Sequence, residues 1–165
     1  MSSRSIYHLD ANILLNYFIE DDRMIYQAIN KNLTRSNWND DVYRINVYAL
    51  GETWKNILIK LNFPSSDLSF ENKLKNFRRL IFEGHVEIIG LDKIGNSNWI
   101  THYKAIDKLD SLIQKADKLN LAFFCSDMEA QTFYTIDSNI IKSTKLGEYL
   151  KQIDEKINKT VKEFA

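Results

Sequence analysis

Short apolar runs alternate along this chain with longer stretches of three-to-four periodicity, the pattern of strands separated by helices. Residues 5–9 (SIYHL) read as a strand, and the apolar run 11–19 (ANILLNYFI) opens a helix directly after Asp10. Met24, Ile25, Ala28, Ile29 and Leu33 continue a helical pattern behind Asp21 and Asp22, and the polar stretch 34–41 (TRSNWNDD) reads as a loop. Residues 44–61 read as one long helix with Val47, Leu50, Trp54, Ile57 and Leu61 along its stripe. Phe63-Pro64-Ser65-Ser66 breaks the chain. A further helix carries Leu68, Leu74, Phe77, Leu80 and Ile81. The clearest strand is 86–91 (VEIIGL), between Gly84 and Asp92. A helix starting at 95–98 carries Trp99, Tyr103, Ile106, Leu109, Ile113 and Ala116, and another runs from about Asp117 to Cys125. Residues 132–136 (TFYTI) form a β-branched and aromatic strand that ends at Asp137. Leu146, Leu150, Ile153, Ile157, Val161 and Phe164 predict an amphipathic helix over 146–165. It would pack on a domain spanning 1–145 or on a second copy of the chain.

Few strands separated by long helices predict an α/β protein with a mostly parallel sheet. Binding sites in such sheets lie beyond the carboxyl ends of the strands, where Asp10 and Asp137 both fall. The length of 165 residues suits one domain. No apolar run approaches the roughly 18 residues of a membrane span, and no long apolar stretch marks the N-terminus as a signal peptide. The lone cysteine, Cys125, has no partner for an internal disulfide, which fits a reducing, cytoplasmic setting. A formal net charge of zero gives no wholesale basic excess for gripping phosphates. Basic runs at Lys73, Lys75, Arg78 and Arg79, and at Lys142, Lys145 and Lys151, read first as solvated helix faces.

Four acids stand out because each adjoins an apolar segment: Asp10 in LDANILL, Glu52 in ALGETW, Asp117 in ADKLNLA and Asp137 in FYTID. Buried carboxylates are costly unless something positive gathers them. Four of them from distant stretches would cage a hard divalent cation. Glu52 lies off its helix's main stripe, on a second, partly apolar face. Each acid also has a plainer reading. Asp10 could cap the helix that follows it, and Asp137 the turn into SNII. Glu52 could pair with Lys55 or Asn56, and Asp117, between Lys115 and Lys118, could be an ordinary solvated charge. Asp110 and Asp127 compete for the place of the third or fourth acid.

In this order the four words resemble the motifs of the PIN-domain family. LDANILL, with Asn12 two residues after Asp10, resembles its opening strand, and Glu52 its helix-borne second acid. ADKLNLA resembles the third-acid helix, and Thr135-Ile136-Asp137 the fourth motif. Three departures stand beside this, one being a segment 62–85 longer than in the smallest members of the family. Asn120 occupies a position where the family often has histidine, and CSDMEAQT lacks the usual glycine before the last strand. The resemblance implies a three-layer α/β/α PIN-like fold and an Mg2+- or Mn2+-dependent ribonuclease, often the toxin of a toxin–antitoxin pair. RNA would be the substrate and an antitoxin-like protein the inhibitor. It implies Asp10 and Asp137 as principal cation ligands, and Asp117 and Glu52 as holders of water or a second ion. Asn12 and Thr135 would fix carboxylate rotamers. Two other functions use the same residues: a non-catalytic PIN-like scaffold in an RNA-processing assembly, and a small-molecule phosphatase.

Other chemistries have little footing. His8, His85 and His102 lack zinc spacing. Neither a GxGxxG nor a Walker-type loop is present. Trp38, Trp54 and Trp99 read as core, and Cys125 as a small buried apolar residue.

Overall fold

The computed structural model describes residues 4–19, 23–33, 41–60, 68–83, 86–90, 92, 98–153 and 156–164. Their strands are β1 (Ser5–Leu9), β2 (Asp41–Asn46), β3 (Glu87–Ile89), β4 (Thr132–Thr135) and β5 (Thr160–Glu163). Their helices are α1 (Ala11–Ile19), α2 (Arg23–Leu33), α3 (Val47–Lys60), α4 (Leu68–Phe82), α5 (Asn98–Leu109), α6 (Lys115–Ser126), α7 (Ser138–Ile141) and α8 (Thr144–Ile153). The five strands form one parallel sheet in the order β3-β2-β1-β4-β5.

Successive strand residues face opposite sides of a sheet, so a sheet covered on both faces is apolar almost throughout. Leu9, Tyr43 and Ile45 join Ile13, Phe18, Ile29, Ile57 and Phe77 on the side of α1 to α4. Ile6, Val42 and Phe133 join Ile106, Leu121, Phe124, Leu146 and Leu150 on the side of α5, α6 and α8. Each fully buried aliphatic or aromatic side chain stabilises the fold by about 1.5–3 kcal/mol over its exposed state. The result is a three-layer α/β/α arrangement, as the sequence pattern predicts.

Strand β3 is shorter than the 86–91 of the sequence reading and β4 ends one residue before Ile136, and three larger differences alter the elements themselves. Residues 44–46 end strand β2 rather than begin a helix, because the carbonyl and amide ladder to β1 continues through Arg44. Asn46 then turns the chain at once into α3: its Oδ1 accepts from the Ala49 N–H at 2.8 Å, capping the first turn. The helix over 98–116 stops at Leu109, and Asp110 makes the break by accepting from the Leu112 N–H at 3.0 Å. The single C-terminal helix over 146–165 is also corrected. Helix α8 ends at Ile153, and Thr160–Glu163 is an edge strand parallel to β4. Leu146, Leu150, Ile153 and Val161 lie in the core on the α6 side and Phe164 in the other, so five of the six stripe residues pack within the chain's own domain.

The order of strands positions the site. From β1 the chain builds outward through β2 and β3, then returns to the other side of β1 for β4 and β5. The switch point between β1 and β4 is where a crevice opens beyond the strands' carboxyl ends. Trp38, His85 and the break at 63–66 lie outside the described residues.

Candidate functional site

Asp10 follows β1 directly, and its backbone N–H bonds to the Tyr134 carbonyl at 2.9 Å, so the β1–β4 pairing reaches into the site. The side chain is 1% exposed. Its Oδ1 accepts from the Ala11 N–H at 2.8 Å and its Oδ2 from the Thr135 hydroxyl at 2.7 Å. Thr135 ends β4 and is fully buried. Its Oγ1 also accepts from Asn12 Nδ2 at 3.2 Å and from the Asp137 N–H at 3.0 Å. A hydroxyl has one proton and two lone pairs. With both lone pairs engaged, the Thr135 proton is committed to Asp10. Thr135 thus ties the two strand-end acids together, with Asn12 as its support.

Asp137 also caps α7, its Oδ1 accepting from the Asn139 N–H at 2.8 Å. The capping reading of this residue therefore holds, with Asp137 Oδ1 as the cap acceptor. Glu52 comes from α3, and Asp117 from the first turn of α6. Burial raises the Asp117 carboxyl to about 7, with the charges of Asp10, Glu52 and Asp137 adding to the shift. That rise runs against the helix N-terminus, which favours a negative charge. Burial likewise raises Asp10 to about 6, opposed by its Thr135 and Ala11 hydrogen bonds and reinforced by the charges of Glu52 and Asp137. Carboxyls from α3 and the β4–α7 junction are thus close enough to disfavour ionisation of Asp10 and Asp117.

Asp110 and Asp127 are engaged elsewhere. Asp110 accepts from Ser143 Oγ at 2.9 Å, joining the α5–α6 turn to the α7–α8 turn. Asp127 follows α6 on the sheet face opposite α1, where it accepts from His8 Nε2 at 2.7 Å and Arg44 at 2.9 Å. Its Oδ1 also takes the Glu129 N–H at 3.0 Å, which forms the turn where the sequence lacks a glycine. Cys125 is buried, its thiol pushed up to about 12 by burial. His102 meets the Tyr149 hydroxyl at 2.8 Å. Lys75, Arg78, Arg79, Lys142, Lys145 and Lys151 are exposed, as the solvated-face reading has them.

Two further residues connect to Glu52: Asn120, marked in the sequence only as standing in place of a histidine of the resembled motif, and Asn46, not marked at all. Asn120 is fully buried, and its Nδ2 donates to Glu52 Oε2 at 3.2 Å. Asn46, 1% exposed, donates from Nδ2 to Asn120 Oδ1 at 3.4 Å. The signal for Asn46 was a capping residue wedged between Ile45 and Val47. For Asn120 it was an amide between Leu119 and Leu121 in an otherwise apolar turn.

The donors gathered here are hard oxygens, which suit Mg2+ or Mn2+ and not a soft metal. Asn12 Oδ1 adds a buried oxygen with no hydrogen-bond partner, one hydrogen bond from the Asp10–Thr135 pair. Among the described residues, no three His, Cys, Asp or Glu side chains close into a cage. Magnesium is content with one or two carboxylates and several waters, so an open cluster fits it by donor type and charge.

No protein-family model matches the chain, and no curated protein sequence does. A solved structure does. A chain in the crystal structure of VapBC2 from Rickettsia felis bound to a DNA fragment from their promoter superposes with a TM-score of 0.55. The match covers 97% of this chain and 99% of that one at 16% identity. The two chains share the three-layer α/β/α fold. At that identity the likeness carries architecture alone. No described helix is long and apolar enough to cross a membrane.

Proposed function

We propose that this protein is a divalent-cation-dependent ribonuclease that hydrolyses RNA phosphodiester bonds. The observation that carries the reading is Asp10, buried at the switch point and tied through the Thr135 hydroxyl to Asp137 at the neighbouring strand's end. Asp10 is raised to about 6 and Asp117 to about 7, both by burial and by the other acids of the cluster. A fold that buries like charges together stores a cost that a cation and a phosphate-bearing substrate would relieve together.

Asp10 and Asp137 would hold Mg2+ or Mn2+, and Glu52 and Asp117 would orient an attacking water or a second ion. The bound ion would lend positive charge to a phosphoryl oxygen and lower the pKa of a water. Thr135 and Asn12 hold the Asp10 carboxylate in one rotamer, which keeps a metal ligand aimed. VapBC2 is a toxin–antitoxin pair, and by that likeness the partner of this chain would be an antitoxin-like inhibitor whose peptide fills the acidic cleft.

One observation favours a second reading, a non-catalytic PIN-like scaffold: no three ligating side chains close into a cage among the described residues. The two separate in one assay. Wild type incubated with single-stranded RNA and Mg2+ or Mn2+ should cleave it, EDTA should stop cleavage, and Asp10→Asn should lack it. Cleavage that persists in EDTA and in Asp10→Asn would come from a contaminant or a different site. No cleavage of any RNA by wild type would favour the scaffold.

A further inference from the structure

We infer that Asn46 and Asn120 form a one-directional carboxamide relay that positions Glu52 for the cation; this rests on the reading of the acid cluster as a cation site. The polarity of the relay is fixed from both ends. At one end a backbone N–H, that of Ala49, can only donate, so the oxygen of Asn46 must face it, at 2.8 Å. The Asn46 amide nitrogen is thereby turned toward Asn120 and finds its Oδ1 at 3.4 Å. At the other end an ionised carboxylate can only accept, so the nitrogen of Asn120 must face Glu52, as it does at 3.2 Å. Neither amide can flip without setting like against like.

Both amides are buried, at 1% and 0% exposure, where an unpaired amide is costly. They therefore do more than fill space. The relay joins the end of β2, the body of α3 and the middle of α6, three elements that the rest of the site does not tie together. One hydrogen bond occupies part of the Glu52 Oε2 lone-pair capacity, and a carboxylate has capacity left for an ion or its water. Asn120 stands on the same helix as Asp117, three residues on, so the relay also sets Glu52 against Asp117. Asn46 and Asn120 act through Glu52 and are positioning residues, not catalytic ones.

The test is a thermodynamic cycle on Mn2+ affinity, read by calorimetry, with Asn120→Leu, Glu52→Ala and the double variant. Outer partners of metal ligands typically contribute about 10- to 100-fold in affinity. Asn120→Leu should weaken Mn2+ by about tenfold in the wild-type background and by less than about twofold where Glu52 is already alanine. Equal weakening in both backgrounds, or none in either, would overturn the relay. Asn46→Ser keeps a cap for α3 but cannot reach Asn120. It should weaken Mn2+ in the same direction while leaving the thermal melt within a few degrees of wild type. A readout without metal keeps this separate from the functional reading. In the cation-free protein, the side-chain amide NMR signals of both Asn46 and Asn120 should shift when Glu52 is replaced by alanine. If wild type binds no Mn2+ but both amides shift, the cation reading fails and the relay stands. If the Asn46 signal stays in place on Glu52→Ala, the relay itself is wrong.

Discussion

Two charged clusters lie close together in this fold and obey opposite rules. Beyond the carboxyl ends of β1 and β4, Asp10, Glu52, Asp117 and Asp137 gather like charges, and burial leaves Asp10 and Asp117 reluctant to ionise. On the sheet face toward α6, the charges are matched. Arg44 donates to Glu87 at 2.7 Å, to Asp127 at 2.9 Å and to Glu129 at 2.8 Å. Burial disfavours the Asp127 charge, but the His8 hydrogen bond and the His8 and Arg44 charges hold its carboxyl well below the usual range. Lys159, 2% exposed, donates to the carbonyls of Phe124, Asp127 and Ala130, closing off the carboxyl end of α6. Only Leu9 separates His8 of the matched cluster from Asp10 of the unmatched one. The matched cluster leaves His8 Nδ1 as its one buried atom without a hydrogen-bond partner, whereas under the proposed function the acids at the switch point would be completed by a charge from outside.

Substitutions should move the two clusters in opposite directions. The largest effect is expected at Asp127→Ala. It leaves buried His8 with no side-chain partner and takes from Arg44 one of its three acids, and losing one partner of such a network costs about 3–5 kcal/mol of stability. Urea unfolding should show it as a lower midpoint with an unchanged slope. A loss under 1 kcal/mol would mean that the matched cluster is not a structural one.

Asp10→Asn should do the reverse. In cation-free protein at pH 8 it removes a disfavoured charge and should stabilise by about 2 kcal/mol, from a shift of two pKa units less some hydrogen bonding. If it destabilises instead, Asp10 is an ordinary cap.

The pH profile sharpens this. A carboxyl raised in the fold contributes its full stability below its unfolded value and loses it as pH climbs through the folded value. For Asp10 that window runs from 3.8 to about 6. The stability gap between Asp10→Asn and wild type should therefore be small at pH 4, widen through pH 6 and on to about pH 7, because the variant also relieves Asp117 of the Asp10 charge, and then stay level. His8, which burial lowers, is ionised only at a stability cost as pH falls below its ordinary range. It tilts both proteins equally and cancels from the gap. The smallest effect is at Arg79→Ala, which breaks the exposed 3.3 Å pair with Glu83 one turn away. It should change stability by less than about 0.5 kcal/mol.

The sequence showed the acids better than it showed the frame that holds them. Asp10 and Asp137 were legible because a carboxylate at the end of an apolar strand has few plain explanations. Thr135 and Asn12 were legible from their spacing to those acids. Strand β2 was hidden because Asn46 caps α3 with no turn residues between, so a helical stripe beginning at Val47 seemed to extend backward. Val42-Tyr43-Arg44-Ile45, with its alternation, was the available clue. Strand β5 was hidden by a coincidence of period. Val161 and Phe164 continue the three-to-four spacing of α8, yet they enter two different cores, one on each side of the sheet. The partners of Asn120 and of Asp127 depend on pairings 68 and 119 residues apart, which no local pattern encodes.

The central claim is that the unmatched acids await a divalent cation, and a Mn2+ titration by calorimetry addresses it directly. Wild type should give a saturable heat, and Asp10→Asn/Asp137→Asn should give none while melting as a folded protein. No binding by wild type, or the same binding by the double variant, would contradict it.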